Sequence, residues 1–364
     1  MAEENQTYRK WLLPLSYLYG FGVRVRNILY DWNILKSKSY SIPIICVGNL
    51  SVGGTGKTPH IEYLVRLLQR QGWNIAILSR GYKRTTKGYI LATTQSTSRE
   101  IGDEPCQMKR KFPDITVAVD ENRCHGIERL LKLDSPRIDI ILLDDAYQHR
   151  RVKAGLNILL TDFNNLFTDD HLLPAGSLRE PIKEKERAQM VIVTKSNSEM
   201  KPIEFNILSK KLNLYPYQGL FFSTIEYDIL YPLYPESAVE QDIQIIEKDT
   251  DVLLVTGIAS PSPMVEKVQT LSDHVQHLAF PDHYSYKRKD MQRIEQAFNH
   301  MQGPKKIILT TEKDAYRLIG NNAVSEEMKP YIYVLPIKMH FLQDREETFN
   351  QQIISYVRAN KRNC

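Results

Sequence analysis

Nowhere in its 364 residues does this chain stay apolar for the roughly 18 positions that a membrane-spanning helix needs, so it is expected to stay out of the bilayer core. Cysteine is scarce too. Cys46, Cys106, Cys124 and Cys364 are scattered without a C-x-x-C pair, which supports neither a zinc site nor a disulfide framework and points to a reducing, cytoplasmic setting. The opening MAEENQTYRK lacks the basic-then-apolar order of a signal peptide. Internal repeats and low-complexity tracts are missing, and neither sign of charge dominates: 48 Lys and Arg against 43 Asp and Glu leave +5. Such a balance suits an anionic substrate or surface without demanding nucleic acid, and no nucleic-acid partner is expected. With 42% hydrophobic residues, what remains is an ordinary globular chain whose length suits two domains.

From Ile42 onward, short apolar runs alternate with amphipathic segments. The runs at Ile42–Leu50, Asn74–Ser79, Ile115–Val119, Ile138–Asp144, Leu156–Asp162 and Met190–Lys195 are apolar on both faces, as strands of a parallel sheet covered by helices on both sides would be. Such sheets bind ligands beyond the carboxyl ends of their strands. Around Gly219–Pro235 the pattern turns aromatic and alternating, and the runs at Val252–Ile258, Val275–Phe280, Lys306–Thr311 and Tyr331–Pro336 then restart the rhythm. The expected division is a segment 1–36, an α/β domain 37–218, a connection 219–250 and a smaller α/β domain 251–364.

The strongest chemical signal is Gly53-Gly54-Thr55-Gly56-Lys57-Thr58, placed between a strand and a helix. Glycines let backbone N–H groups curl toward phosphate oxygens, a lysine here reaches the β and γ phosphates, and the Thr58 hydroxyl suits Mg²⁺. The strict pattern has glycine where Ser51 stands. Asp144-Asp145 closes an apolar strand, the position from which a carboxylate reaches the Mg²⁺ of a bound triphosphate. Together these features predict a P-loop NTPase fold. Thr194-Lys195-Ser196-Asn197 resembles the T-K-x-D element that reads guanine, but an amide offers one acceptor oxygen where a carboxylate offers two. Gly102-Asp103-Glu104-Pro105 sets two carboxylates at a loop-to-helix junction, to serve as a cap or as a base. His283, in FPDHY, is a surface residue or a partner in proton transfer. Arg123 and Arg179 follow strands, where guanidinium forks suit phosphate.

Taken together, GGTGKTP (53–59), SRGY (79–82), GDEP (102–105), DDAYQHR (144–150), LPAGSLREP (173–181), FPDHY (280–284) and TEKDA (311–315) resemble the tetraacyldisaccharide 4'-kinase family of Gram-negative lipid A biosynthesis. The family usually has glycine where Ala146 stands. The resemblance implies a P-loop domain and a smaller α/β domain joined by a two-stranded ribbon. It implies ATP and Mg²⁺, and γ-phosphate transfer to the 4'-hydroxyl of a tetraacylated glucosamine disaccharide 1-phosphate. It makes Asp103 the base assisted by His283, which domain closure would bring in. Lys57 acts on the γ-phosphate, Thr58 and Asp145 on Mg²⁺ with Asp144 and Glu104 nearby, and Arg123, Arg179, Gln148 and His149 on the substrate. No obligate protein partner is implied. The alternatives are a nucleotide-dependent switch or assembly ATPase or GTPase, and a kinase of a soluble sugar.

Trp11–Trp32 carries Leu12, Leu13, Leu15, Leu18, Phe21, Val25, Ile28 and Leu29, broken by Pro14, Arg24 and Arg26. This pattern is amphipathic and fits either a helix at a membrane surface or one packed on the protein's own core. A four-chain lipid substrate favours the first reading and a peripheral place on the cytoplasmic face of the inner membrane. Arg9, Lys10, Arg24, Arg26, Lys36 and Lys38 outnumber the nearby acids there, as attraction to anionic lipid requires.

Overall fold

A computed structural model describes residues 9–282, 284–319 and 324–361. The chain forms two compact units, one holding it up to Ile225 and again from Met339, the other spanning Glu226–Lys338.

The strands of the first unit are β1 (Ile44–Asn49), β2 (Ile75–Ser79), β3 (Ile90–Leu91), β4 (Thr116–Val119), β5 (Ile140–Asp144), β6 (Leu156–Asp162), β7 (Met190–Thr194) and β8 (Gly219–Tyr227). The second unit holds β9 (Tyr231–Pro232), β10 (Asp251–Thr256), β11 (His274–Ala279), β12 (Lys306–Thr311) and β13 (Ile332–Leu335), and the chain returns through β14 (Ile337–Phe341). The first sheet runs β14-β8-β7-β6-β1-β5-β2-β4-β3. From β8 across to β4 every pairing is parallel, and β3 lies antiparallel at the edge.

Helices α1 (Leu13–Asp31), α2 (Lys57–Arg70), α3 (Ser98–Ile101), α4 (Asp103–Lys111), α5 (Arg123–Leu130) and α6 (Pro202–Leu212) belong to the first unit. The strands read apolar throughout because both faces are covered. Ile45 and Val47 of β1 join one core with Ile61, Leu64, Val65 and Leu68 of α2. Ile44 and Cys46 join the opposite one with Ile127 of α5 and Leu212 of α6. Burying the four α2 side chains contributes roughly 6–12 kcal/mol before ordering entropy is subtracted.

The second unit carries α7 (Ser262–Leu271), α8 (Arg288–His300) and α9 (Glu312–Ile319) on a sheet ordered β11-β10-β12-β13-β9, parallel except for β9. Leu253 and Val255 pack with α8 and α9 on one side, Val252 and Leu254 with α7 on the other.

Two boundaries differ from the sequence reading. The last helix, α10 (Glu346–Lys361), lies in the first unit. Its Phe349, Ile353 and Val357 share the core of α2 and β1, because an apolar helix face can cover either sheet and sequence order does not say which. The connection is also not contained in 219–250. Its two adjacent strands, β8 and β14, leave and re-enter the first unit more than a hundred residues apart in sequence.

Helix α1 is inside out. Its buried residues are Ser16, Gly20 and Asn27, while Trp11, Leu15, Leu18, Phe21 and Trp32 are each more than half exposed. Polar bonds and close approach hold it to the protein. Ser16 Oγ accepts from Ala175 N (2.9 Å), Tyr19 Oη donates to the Arg179 carbonyl (2.9 Å), and Arg26 pairs with buried Glu180. A Cβ on Gly20 would stand 2.6 Å from Leu172 Cδ1, so a larger residue there would require the Leu172 side chain to shift.

Candidate active site

Strand β1 runs into the loop that the sequence marks for phosphate. Gly53 and Gly56 adopt φ of +111° and +77°, which an L side chain resists, and α2 begins at Lys57 with Gly56 as its N-cap. The loop therefore ends on the positive end of a helix dipole with N–H groups free of intrahelical partners.

The groups at the carboxyl edge form one network. Lys57 Nζ lies 3.4 Å from Asn49 Oδ1 and 3.7 Å from Asp145 Oδ1. Arg179 donates to both carboxylate oxygens of Asp145 (3.0 and 3.3 Å), to Asn49 Oδ1 and to the Ser51 carbonyl. Burial works against ionisation of Asp145, but Lys57 and Arg179 outweigh it and hold the carboxyl below its usual value. Asp144, deeper in the sheet and in register with Val47, is pushed up to about 7 by burial and by Glu104 and Asp145. Adjacent carboxyls thus have separated proton affinities, a frequent mark of functional sites.

Asp103 and Glu104 occupy the first turn of α4, whose N-cap is Gly102, so neither is the capping residue. Gly102 has φ of +92°, and a Cβ there would crowd Gly81 and the Tyr82 carbonyl at 3.0–3.1 Å. SRGY and GDEP are therefore packed against each other. Glu104 Oε1 accepts from Thr58 Oγ1 at 3.4 Å, which brings GDEP to the phosphate loop.

The four residues expected on the substrate lie unequally. Arg179 is occupied by Asp145 and the loop. Arg123 is buried, donates to the Asp120 carbonyl at 2.8 Å and keeps an Nε without a partner among the described residues. Burial lowers its pKa, and Asp144 and Asp145 raise it. Gln148 Nε2 donates to the Asn49 carbonyl at 2.7 Å. His149 has a buried Nδ1 without a partner among the described residues, and burial and then Arg123 lower its pKa. His283 lies outside the described residues. Lys195 of the T-K-S-N element pairs with Asp162 at 2.6 Å.

The family model for tetraacyldisaccharide-1-P 4'-kinase matches residues 8–358. Curated relatives carrying the name tetraacyldisaccharide 4'-kinase include those of Bacteroides thetaiotaomicron, 56% identical over all of this chain and 97% of its own length, and Flavobacterium johnsoniae, 44% identical over 97% and 98%. A crystal structure of the Aquifex aeolicus LpxK in complex with ATP superposes with a TM-score of 0.73 at 32% identity, covering 96% of this chain and 99% of that one. The chain belongs to the tetraacyldisaccharide 4'-kinase family.

Membership makes it an ATP-dependent kinase of lipid A biosynthesis and sets aside the switch, GTPase and soluble-sugar alternatives. The family's usual glycine after the acidic pair is not needed here, because the left-handed φ falls on Asp145 (+47°) and not on Ala146. Among the described residues, no helix is long and apolar enough to cross a membrane. Nor do three His, Cys, Asp or Glu side chains converge as a self-sufficient metal cage among them. Mg²⁺ in a phosphate site takes one or two carboxylates and completes its shell with phosphate oxygens and water. The hard oxygens of Thr58 and Asp145 fit that role, with Glu104 bonded to Thr58 and Asp144 adjoining Asp145. Sequence reasoning missed Asn49 as the hub between Lys57 and Arg179; its signal was a polar residue closing the apolar run before the loop.

Proposed function

We propose that Asp103 takes the proton of the acceptor's 4'-hydroxyl as that oxygen attacks the γ-phosphorus of ATP and the bond to ADP breaks. The observation that supports this reading is the Thr58–Glu104 contact, which ties the first turn of α4, to which Asp103 also belongs, to the loop. Lys57 steadies the γ-phosphate. Thr58 and Asp145 would hold Mg²⁺, with Asp144 and Glu104 nearby, and the ion would supply neutralisation of charge on the phosphate oxygens. Arg179 and buried Arg123 act through the acidic pair, Arg179 by fixing the Asp145 carboxylate through both of its oxygens. Gln148 and His149, on the turn after β5, contact the acceptor. Replacing Asp103 with Ala should lower turnover by about 10²–10⁴-fold while ATP affinity stays within twofold. Lost ATP binding would move Asp103 from base to cosubstrate site.

The chain meets its lipid substrate at a membrane surface through α1. The outward aromatic and aliphatic face supports this, since exposed apolar patches of that extent mark interaction surfaces. Acyl chains resist leaving the bilayer by about 0.8 kcal/mol per CH₂. Deleting residues 1–36 would also remove the bonds that hold Leu173–Pro181, so the clean test alters the outward face alone. Leu18→Glu with Phe21→Glu should abolish co-flotation with anionic phospholipid vesicles and leave ATP binding intact. Undiminished flotation would remove α1 from the docking surface.

A further inference from the structure

One buried side chain of α2 has no part in the chemistry described so far. His60 sits one turn after Gly56, and a helical side chain leans back toward the N-terminus of its helix. Its Nδ1 reaches the Gly56 carbonyl at 2.7 Å and its Nε2 the Ser223 hydroxyl at 3.0 Å. A carbonyl can only accept, so Nδ1 carries the proton and Nε2 accepts from Ser223. Burial lowers the ring's pKa to about 4, which keeps it neutral with one donor and one acceptor at ordinary pH.

Both ends of this bridge are fixed. Ser223 is buried in β8, and its carbonyl accepts from Ser196 N at 2.9 Å just past the end of β7. Gly56 is the left-handed residue that turns the loop into the helix. Its carbonyl shares one planar peptide with the N–H of Lys57, and in a trans peptide the two point in opposite directions. Holding the carbonyl toward His60 therefore aims the Lys57 N–H the other way, into the loop.

We propose that His60 is a positioning residue for the nucleotide: by bridging Gly56 to Ser223 it holds the Gly56–Lys57 peptide in the orientation that offers its N–H to a phosphate oxygen. The proposal rests on the reading of this loop as the ATP site. Without the ring the Gly56 carbonyl keeps only the first backbone bond of α2, so the peptide is held less firmly and nucleotide binding must supply more of its ordering.

The test is ATP titration by calorimetry, without lipid acceptor, on the full-length chain, followed by steady-state kinetics. His60→Ala should weaken ATP binding and raise the KM for ATP by about tenfold, the effect of losing one well-placed hydrogen bond in a buried setting, while the KM for the acylated disaccharide stays within twofold. His60→Asn keeps a donor near the Nδ1 position and should recover most of the affinity. Ser223→Ala, which removes only the far anchor, should cost about threefold. A folded His60→Ala protein with wild-type ATP affinity overturns the proposal. If that variant does not fold, wild-type affinity in Ser223→Ala overturns it instead. Should the unaltered chain fail to bind ATP, the functional reading falls and takes this inference with it.

Discussion

After β1 the nine-stranded sheet opens into a glycine loop ringed by polar groups still short of partners, whereas after β10 the five-stranded sheet runs into Gly257 and is closed over by Asp314. At the first edge Asn49 Nδ2 and Thr55 Oγ1 are buried without a partner among the described residues, Lys57 stands 3.7 Å from Asp145, and Asp144 is pushed toward its protonated form. At the second, the fully buried Asp314 accepts from Gly257 N (2.8 Å), Thr311 Oγ1 (2.7 Å) and Arg317 Nη1 (3.0 Å). A Cβ on Gly257 would stand 2.8 Å from Asp314 Oδ1, so the carboxylate fills the space above that strand. Parallel sheets place their crevices here by topology. A carboxylate shared with the cations of a glycine loop marks the edge built for phosphate, and a self-satisfied carboxylate marks the one used to hold the fold.

Three substitutions probe the contrast. Removing the carboxylate of Asp145 should reduce kcat by about 10²–10³-fold, as for other groups that stabilise transition-state charge, with cooperative unfolding retained; a tenfold loss or less would demote the first edge. Asp314→Ala should do the opposite. It leaves the Arg317 guanidinium without its buried partner and should cost about 3–5 kcal/mol in denaturant unfolding, with turnover per folded molecule within about threefold. Lost turnover at unchanged stability would make the second edge functional too.

The smallest effect concerns pH in nucleotide-free, metal-free protein. The Asp144 carboxyl is raised in the folded state, so the fold binds a proton that the unfolded chain releases near pH 4. Its contribution is present below about pH 4 and is lost as pH rises toward about 7. Asp144→Asn should flatten that decline in urea unfolding measured across the window. An equal slope in the variant would place the effect elsewhere.

Much of the first edge was legible because its signals are local. The ten apolar runs became strands within a few residues of their expected ends, and loop, helix and acidic pair follow from short spacings. Contacts made across long stretches of chain were not legible. Arg179 reads as a lone surface guanidinium until the fold brings it to Asn49, 130 positions away. The pattern of α10 gives an apolar face but not the sheet it covers. In α1 the apolar positions were plain, yet nothing in their spacing says that Ser16, Gly20 and Asn27 turn inward. Polar bonds and close backbone approach decide that, and hydrophobic periodicity is blind to both.

That inversion makes adhesion and architecture separable. Because α1 is fastened by its serine, glycine, tyrosine hydroxyl and arginine, its greasy side carries none of the fastening. The outward side can be rewritten as a hydrophilic surface with the scaffold beneath unchanged. A water-loving form of this kinase is thus a matter of repainting one helix face, with no loop shortened and no element removed.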